Sequence, residues 1–129
     1  PFGGPPYHPF YKWALRTGRV WDSPVRLLVH ESQGLMVSFR GALALKQRVD
    51  LPPPPAKPGD ACAKPCLAAC PAGALTGAGY DVPACHAYLA EAERNCMKAG
   101  CLVRRACPVG MGYARMPEQS AYHMGQFHK

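Results

Sequence analysis

The chain has 129 residues and a formal charge of +7, and 48% of its residues are hydrophobic. This length fits one domain, or one domain with an arm, and the hydrophobic content supports a packed core and excludes a wholly disordered chain. No apolar run approaches the roughly 20 residues that a membrane-spanning helix needs, and no signal peptide is visible.

The first fifty residues are predicted to form a helix and a β-hairpin, which we interpret as the remnant of a larger domain. Residues 10–17 have an apolar side and are followed by a glycine, which predicts a short helix. Residues 25–30 indicate a strand and residues 35–39 a returning strand. Between them we expect a turn in which Gly34 takes a positive φ. Because the sequence begins with proline rather than methionine, it is consistent with a fragment or a processed form.

Residues 51–59 are rich in proline, which predicts a stiff extended linker into the cysteine-containing region, residues 60–129. In that region a helix is predicted over Val82–Arg94, with Asp81 as its N-cap. The predicted class is therefore α+β: an N-terminal helix and hairpin segment, then a loop-rich, helical domain.

The C-terminal tail is predicted to form a helix over Pro117–Phe127 that packs back on the domain. Its two histidines, His123 and His128, are expected at the surface.

The seven cysteines form two runs around a lone cysteine: Cys62-x3-Cys66-x3-Cys70-Pro, then Cys85, then Cys96-x4-Cys101-x5-Cys107-Pro. Thiolates are the soft ligands that iron prefers, and two-cluster ferredoxins use such runs ending in Cys-Pro, whose last cysteine crosses to the other cluster. Zinc would favour two C-x2-C pairs or a Cys/His quartet, and neither occurs. The pattern predicts two iron–sulfur clusters rather than zinc or buried free thiols. Residues 60–129 are accordingly expected to form a domain that resembles the bacterial dicluster ferredoxins.

A crossed assignment divides the cysteines into two groups. The four-cysteine set, which would hold a [4Fe-4S] cluster, is Cys70, Cys85, Cys96 and Cys101. The three-cysteine set is Cys62, Cys66 and Cys107. It lacks a fourth cysteine, and its cluster is either [4Fe-4S] with a different fourth ligand or [3Fe-4S]. Asp60 could supply an oxygen ligand, or the fourth ligand could come from a histidine, water or another chain.

The number and clustering of the cysteines also bear on compartment and partner. A secreted disulfide scaffold normally has an even number of cysteines, so seven favour a reducing compartment, the cytoplasm or an organelle matrix. The positive charge predicts docking to an acidic redox partner, with Arg104 and Arg105 as partner-binding residues. Nucleic acid is not expected, because no aromatic residues are interleaved with the basic ones.

Six stretches carry a family resemblance: Phe10–Gly18, Val25–Phe39, Leu51–Pro55, Cys66–Leu75, Tyr80–Leu89 and Cys107-Pro108. They resemble the ferredoxin-like C-terminal region of epoxyqueuosine reductase, a cobalamin-dependent iron–sulfur enzyme of tRNA modification, and of the related reductive dehalogenases. The resemblance implies two clusters with the crossed ligand partition. The chain departs from the family in lacking the first cysteine of the first motif and in the longer gaps of the second.

The leading functional hypothesis is a small ferredoxin-like protein that transfers electrons to a redox partner and has no catalytic residue of its own. One alternative is the C-terminal part of a cobalamin-dependent iron–sulfur reductase, in which Arg104 and Arg105 would meet a nucleotide or phosphate. A second alternative is a structural iron–sulfur subunit of a larger redox complex.

Overall fold

The computed structural model describes residues 5–91 and 94–129 and has a mixed α+β fold. A short helix and a two-stranded antiparallel hairpin are followed by a loop-rich helical region, which confirms the predicted class at this level. The elements are α1 (Phe10–Arg16), β1 (Val20–Asp22), β2 (Leu28–His30), α2 (Val82–Leu89), α3 (Asn95–Ala99), α4 (Leu102–Arg105) and α5 (Pro117–Phe127). Short 3-10 helices span Pro65–Leu67 and Pro108–Tyr113. None of the described helices has the length and apolar character to cross a bilayer.

The two strands of the hairpin are not the two that the sequence predicts. β2 lies within the predicted strand 25–30, but its partner is the upstream strand β1, with Val20 opposite His30. The predicted returning strand 35–39 is wrong, because these residues, all of them described, form no strand. Val20 and Trp21 are good strand formers, and the Ser23-Pro24 that follows them is a turn signal.

Two sets of backbone hydrogen bonds explain this choice of partner. The Ser23 N–H donates to the Leu27 carbonyl at 3.0 Å and closes the hairpin loop between β1 and β2. Beyond β2, His30 and Gly34 form a single antiparallel bridge, and the Met36 N–H then donates to the Gln33 carbonyl at 3.0 Å, so the pairing does not continue into a strand. The turn places Leu35 in the core with 1% of its surface exposed.

The hydrophobic core joins the N-terminal segment to the cysteine-containing region. Its buried members are Val25, Val29, Leu35, Cys66, Leu75, Val103 and Cys107. Burial of one valine or leucine side chain stabilises a fold by roughly 1.5–3 kcal/mol. The hairpin is therefore part of the packing that positions the cysteines.

A close backbone approach ties the turn after β2 to the segment after Cys107. Gly34 has φ +55°, as predicted, and a Cβ there would lie 2.5 Å from the Gly110 nitrogen and 2.9 Å from the Cys107 sulfur. No side chain fits in that space. Because Gly34 has no side chain, the turn after β2 can lie this close to Cys107.

The proline-rich segment packs against the end of α1. Residues 51–57 form neither helix nor strand. Gly18, which follows α1 with φ +66°, faces this segment so closely that a Cβ on it would lie 2.8 Å from the Pro54 Cβ. The extended chain is thereby brought back across the N-terminal helix before it reaches the first cysteine run.

Helix α2 begins where predicted, since the Asp81 side chain accepts a hydrogen bond from the Ala84 N–H at 3.0 Å. It ends at Leu89, which makes it shorter than the predicted Val82–Arg94, and residues 92–93 of that prediction lie outside the described residues.

Helix α5 has the predicted bounds and packs on α3. A Cβ on Gly100, at the end of α3, would lie 2.5 Å from the Ser120 Cβ. His128 is half-buried rather than exposed, because its Nδ1 lies 2.7 Å from the His86 Nδ1. The expectation that His128 is a surface residue is therefore wrong.

Tyr11 provides a pH-dependent check of the packing of α1 on β1. Its hydroxyl donates to the Asp22 carboxylate, and partial burial together with this bond raises the pKa of Tyr11 from 10.0 to about 12. Because the folded pKa is raised, the resulting stability is present below pH 10 and is lost as the pH rises through 12. In an alkaline absorbance titration, we expect Tyr11→Phe to remove one tyrosine that ionises near pH 12. Asp22→Asn should move that ionisation toward pH 10, and a titration unchanged by both substitutions would contradict the contact.

Candidate metal centres

The seven cysteines, all free thiols within the described residues, are distributed around two cavities of similar size. The first cavity, of about 310 Å³, is lined by the four-cysteine set and by none of the others. The second, of about 320 Å³, is lined by the three-cysteine set alone. The structure thus brings together the same two groups of cysteines as the spacing does, while metal ligation stays a prediction.

Two short connections each supply one cysteine to each cavity. Cys66 lines the second cavity and Cys70 the first, and the four Cα–Cα steps from one to the other can span at most about 14 Å. Cys101 lines the first cavity and Cys107 the second, with α4 between them. Because each helical residue advances the chain only about 1.5 Å, this connection is short as well. The two cavities therefore lie close together.

Burial raises the pKa of three thiols, Cys66, Cys85 and Cys96, because a thiolate is less stable away from water. The neighbours that raise each pKa further come from the same set. Cys107 and Cys62 act on Cys66, and the members of the four-cysteine set act on Cys85 and Cys96. A metal must displace these protons, so binding would release them and would tighten as the pH rises.

Several hydrogen-bond donors point at the sulfur atoms. The Lys64 N–H donates to the Cys62 sulfur and the Ala74 N–H to the Cys70 sulfur, each at 3.3 Å. The Tyr80 hydroxyl lowers the pKa of Cys85 by hydrogen bonding, against the larger effect of burial. Such donors stabilise negative charge on sulfur and so favour thiolates as ligands.

The two adjacent arginines of the second cysteine run point in different directions. Arg104 is half-buried, lines the first cavity and donates to the Leu35 carbonyl. Burial lowers the pKa of Arg104, while the neighbouring Cys101 acts against this decrease. Arg105 is exposed and donates to the Ala99 carbonyl at 2.8 Å. At the protein surface, then, Arg105 is the more accessible of the two residues for a partner.

The second cavity contains two oxygen-bearing side chains in different environments. Asp60 lines it, as expected for a possible ligand, but 78% of its side chain is exposed and its Oδ1 lies 3.7 Å from the Lys57 Nζ. Ser23 lines the same cavity, is 9% exposed, and its Oγ is buried without a hydrogen-bond partner among the described residues.

Sequence reasoning missed several residues of these sites. Tyr80, Arg115 and His123 line the first cavity, and His123 was expected at the surface. Tyr80 is placed there by its bridge to Leu75 across a glycine-rich turn, which the Thr76-Gly77-Ala78-Gly79 sequence could have indicated. Nothing local to Arg115, His123 or Ser23 points to a cavity, because each reaches it only through tertiary packing.

The cysteines surround space instead of converging on one point. In residues 5–91 and 94–129, no group of three or more His, Cys, Asp or Glu side chains meets the distances needed to hold a metal ion. Zinc thiolates, for comparison, lie about 2.3 Å from the ion and so about 3.8 Å from each other.

Comparisons with protein-family models, curated proteins and solved structures found no match to this chain.

Proposed function

We propose that the protein is an iron–sulfur electron-transfer protein that carries two clusters, one in each cysteine-lined cavity. The observation that carries the proposal is the division of seven free thiols into two sets around separate cavities, with each short connection contributing to both. This crossing is the ligand pattern of two-cluster ferredoxins. Residues 60–129 would accordingly form a ferredoxin-like domain, in line with the resemblance of their cysteine motifs to the reductase family.

The residues present fit iron–sulfur clusters in their chemistry. A cluster takes its thiolates on separate iron atoms around a central body, which calls for sulfurs spread around a cavity. The N–H groups of Lys64 and Ala74 and the Tyr80 hydroxyl supply hydrogen bonds to sulfur, one of the means by which a protein tunes a cluster potential. When bound, the clusters would supply one-electron redox chemistry, and the chain's part is to bury them and set their potentials.

The net charge of the whole chain, +7, supports docking to an acidic partner. Charge around the second cavity is balanced, because Lys57 and Lys64 line it together with the carboxylates Asp22 and Asp60. A positive surface attracts an acidic partner and increases its association rate. In this proposal an electron enters at one cluster and passes to the other, because the two cavities lie close together.

The test is the iron and acid-labile sulfide content of anaerobically purified protein, with EPR spectra before and after dithionite reduction. We expect about eight iron per chain if both clusters are [4Fe-4S], and about seven with an oxidised-state signal if one is [3Fe-4S]. About four would mean that one cavity alone holds a cluster. A preparation that contains zinc without sulfide, or no metal at all, would contradict the proposal.

A second candidate function is the cluster-bearing part of a cobalamin-dependent reductase. The residues of the first cavity other than its cysteines favour it. Besides its cysteines, that cavity is lined by the aromatic residues Tyr80, Tyr88 and Phe127 and by Arg104 and Arg115. This combination suits a planar ligand that bears phosphate. The discriminating measurement is binding of a corrinoid to the cluster-loaded protein: binding favours the reductase, and its absence favours the electron carrier.

A further inference from the structure

We propose that Ser23 completes the second metal centre, with its Oγ as the fourth ligand beside Cys62, Cys66 and Cys107. The inference rests on the proposed function and identifies the ligand that the three-cysteine set lacks. It makes the second cluster a [4Fe-4S] cluster with three sulfur ligands and one oxygen ligand.

The first observation is the state of the Ser23 side chain. The residue is 9% exposed, and its Oγ is buried with no hydrogen-bond partner in the described part of the chain. Buried hydroxyl groups are almost always hydrogen-bonded, because burial without a partner costs the hydration that the group had in water. Bonding of this oxygen to a bound metal would give it the partner that it lacks among the described residues.

The second observation is where Ser23 lies. It lines the same cavity as the three cysteines that lack a fourth partner. Its backbone is already engaged, since its N–H donates to the Leu27 carbonyl at 3.0 Å and its carbonyl accepts from the Arg26 N–H at 3.1 Å. The backbone is thus held in place by the hairpin loop and only the hydroxyl has no partner. The Oγ can rotate about χ1 between staggered positions without movement of the backbone.

Asp60, the other oxygen donor at this cavity, is in a less suitable state. Its side chain is 78% exposed and lies near the Lys57 ammonium, at 3.7 Å. To ligate iron it would have to leave water and a favourable charge, whereas Ser23 has neither to lose. The burial of the two side chains therefore favours Ser23.

The ligation step is a substitution without electron transfer. The Ser23 Oγ would bind the fourth iron in place of a water molecule, and its hydroxyl proton would pass to solvent. The oxidation state of the iron would not change. Because an alkoxide is a harder donor than a thiolate, it favours ferric iron and lowers the reduction potential of this cluster relative to a four-cysteine site.

The test compares four variants with the wild-type protein, all purified anaerobically and analysed for iron, sulfide and EPR signals. Ser23→Ala should lower the iron content from about eight to about seven per chain and produce an oxidised [3Fe-4S] signal. Ser23→Cys should keep about eight iron and raise the potential of the second cluster. Asp60→Asn should behave as wild type, as should Ser32→Ala, a control whose hydroxyl lies outside both cavities beside His30.

The proposal is overturned if Ser23→Ala keeps all of its iron, if Asp60→Asn loses the iron instead, or if the wild-type protein itself contains a [3Fe-4S] cluster. If Ser23→Ala does not fold, the potential of Ser23→Cys decides, and an unchanged potential overturns the proposal. A wild-type protein without iron and sulfide would overturn the proposed function as well, an outcome distinct from all the others.

Discussion

Replacing Cys70 with alanine is expected to convert or remove the cluster of the four-cysteine set and to leave the other cluster unchanged. In the sequence Cys70 closes the same run as Cys62 and Cys66, but its side chain lines the other cavity, together with Cys85. The iron content should fall from about eight to about seven per chain if the three remaining thiolates keep a [3Fe-4S] cluster, or to about four if that cluster is lost. Iron and sulfide analysis with EPR measures the loss.

Cys107→Ala is the matched experiment for the other cavity. Although Cys107 ends the second run, its thiol lies with Cys66, whose pKa it raises. The spectrum of Cys107→Ala should therefore match that of Cys66→Ala and differ from that of Cys101→Ala. Circular dichroism of each variant separates the loss of a cluster from loss of the fold. If each run instead held its own cluster, Cys107→Ala and Cys101→Ala would give the same spectrum, and the crossed partition would be wrong.

Among substitutions that add one methyl group to the hairpin or to the turn after it, Gly34→Ala should lower the free energy of unfolding most. An alanine at φ +55° costs about 1–2 kcal/mol from backbone strain. The added Cβ would also lie 2.5 Å from the Gly110 nitrogen and 2.9 Å from the Cys107 sulfur, and such overpacking costs about 1–3 kcal/mol more. We expect a loss of about 3 kcal/mol of unfolding free energy, measured by urea denaturation, with weakened metal retention at the second cavity.

Two glycines provide controls for this substitution. Gly73 has φ +61°, but a Cβ there meets no heavy atom of the described chain within 4 Å, so Gly73→Ala measures the backbone strain alone. Gly41 has neither a positive φ nor a described neighbour within that distance, and Gly41→Ala should change stability by less than about 0.5 kcal/mol. If Gly34→Ala costs no more than Gly73→Ala, the close approach to Gly110 does not exist in solution.

Local signals predicted the helices better than the strands. Helix α1 is followed by Gly18, α2 begins at the Asp81 N-cap and α5 has the predicted bounds, because capping residues and glycines act within one turn of the chain. The predicted strand pairing is wrong, because β2 could pair either with the segment before it or with the segment after it. The choice depends on the loop bond between Ser23 and Leu27 and on the burial of Leu35, neither of which has a local signature.

Two runs of cysteines that each end in Cys-Pro predict the crossed grouping, and the two cavities are lined by the same two groups. What else surrounds the cysteines depends on tertiary packing. Ser23 and Arg104 reach the cavities because the hairpin packs into the core beside Cys107, and Arg104 is held there by the Leu35 carbonyl. Contacts between residues so far apart in the chain depend on the packing of many side chains at once, which no local pattern encodes.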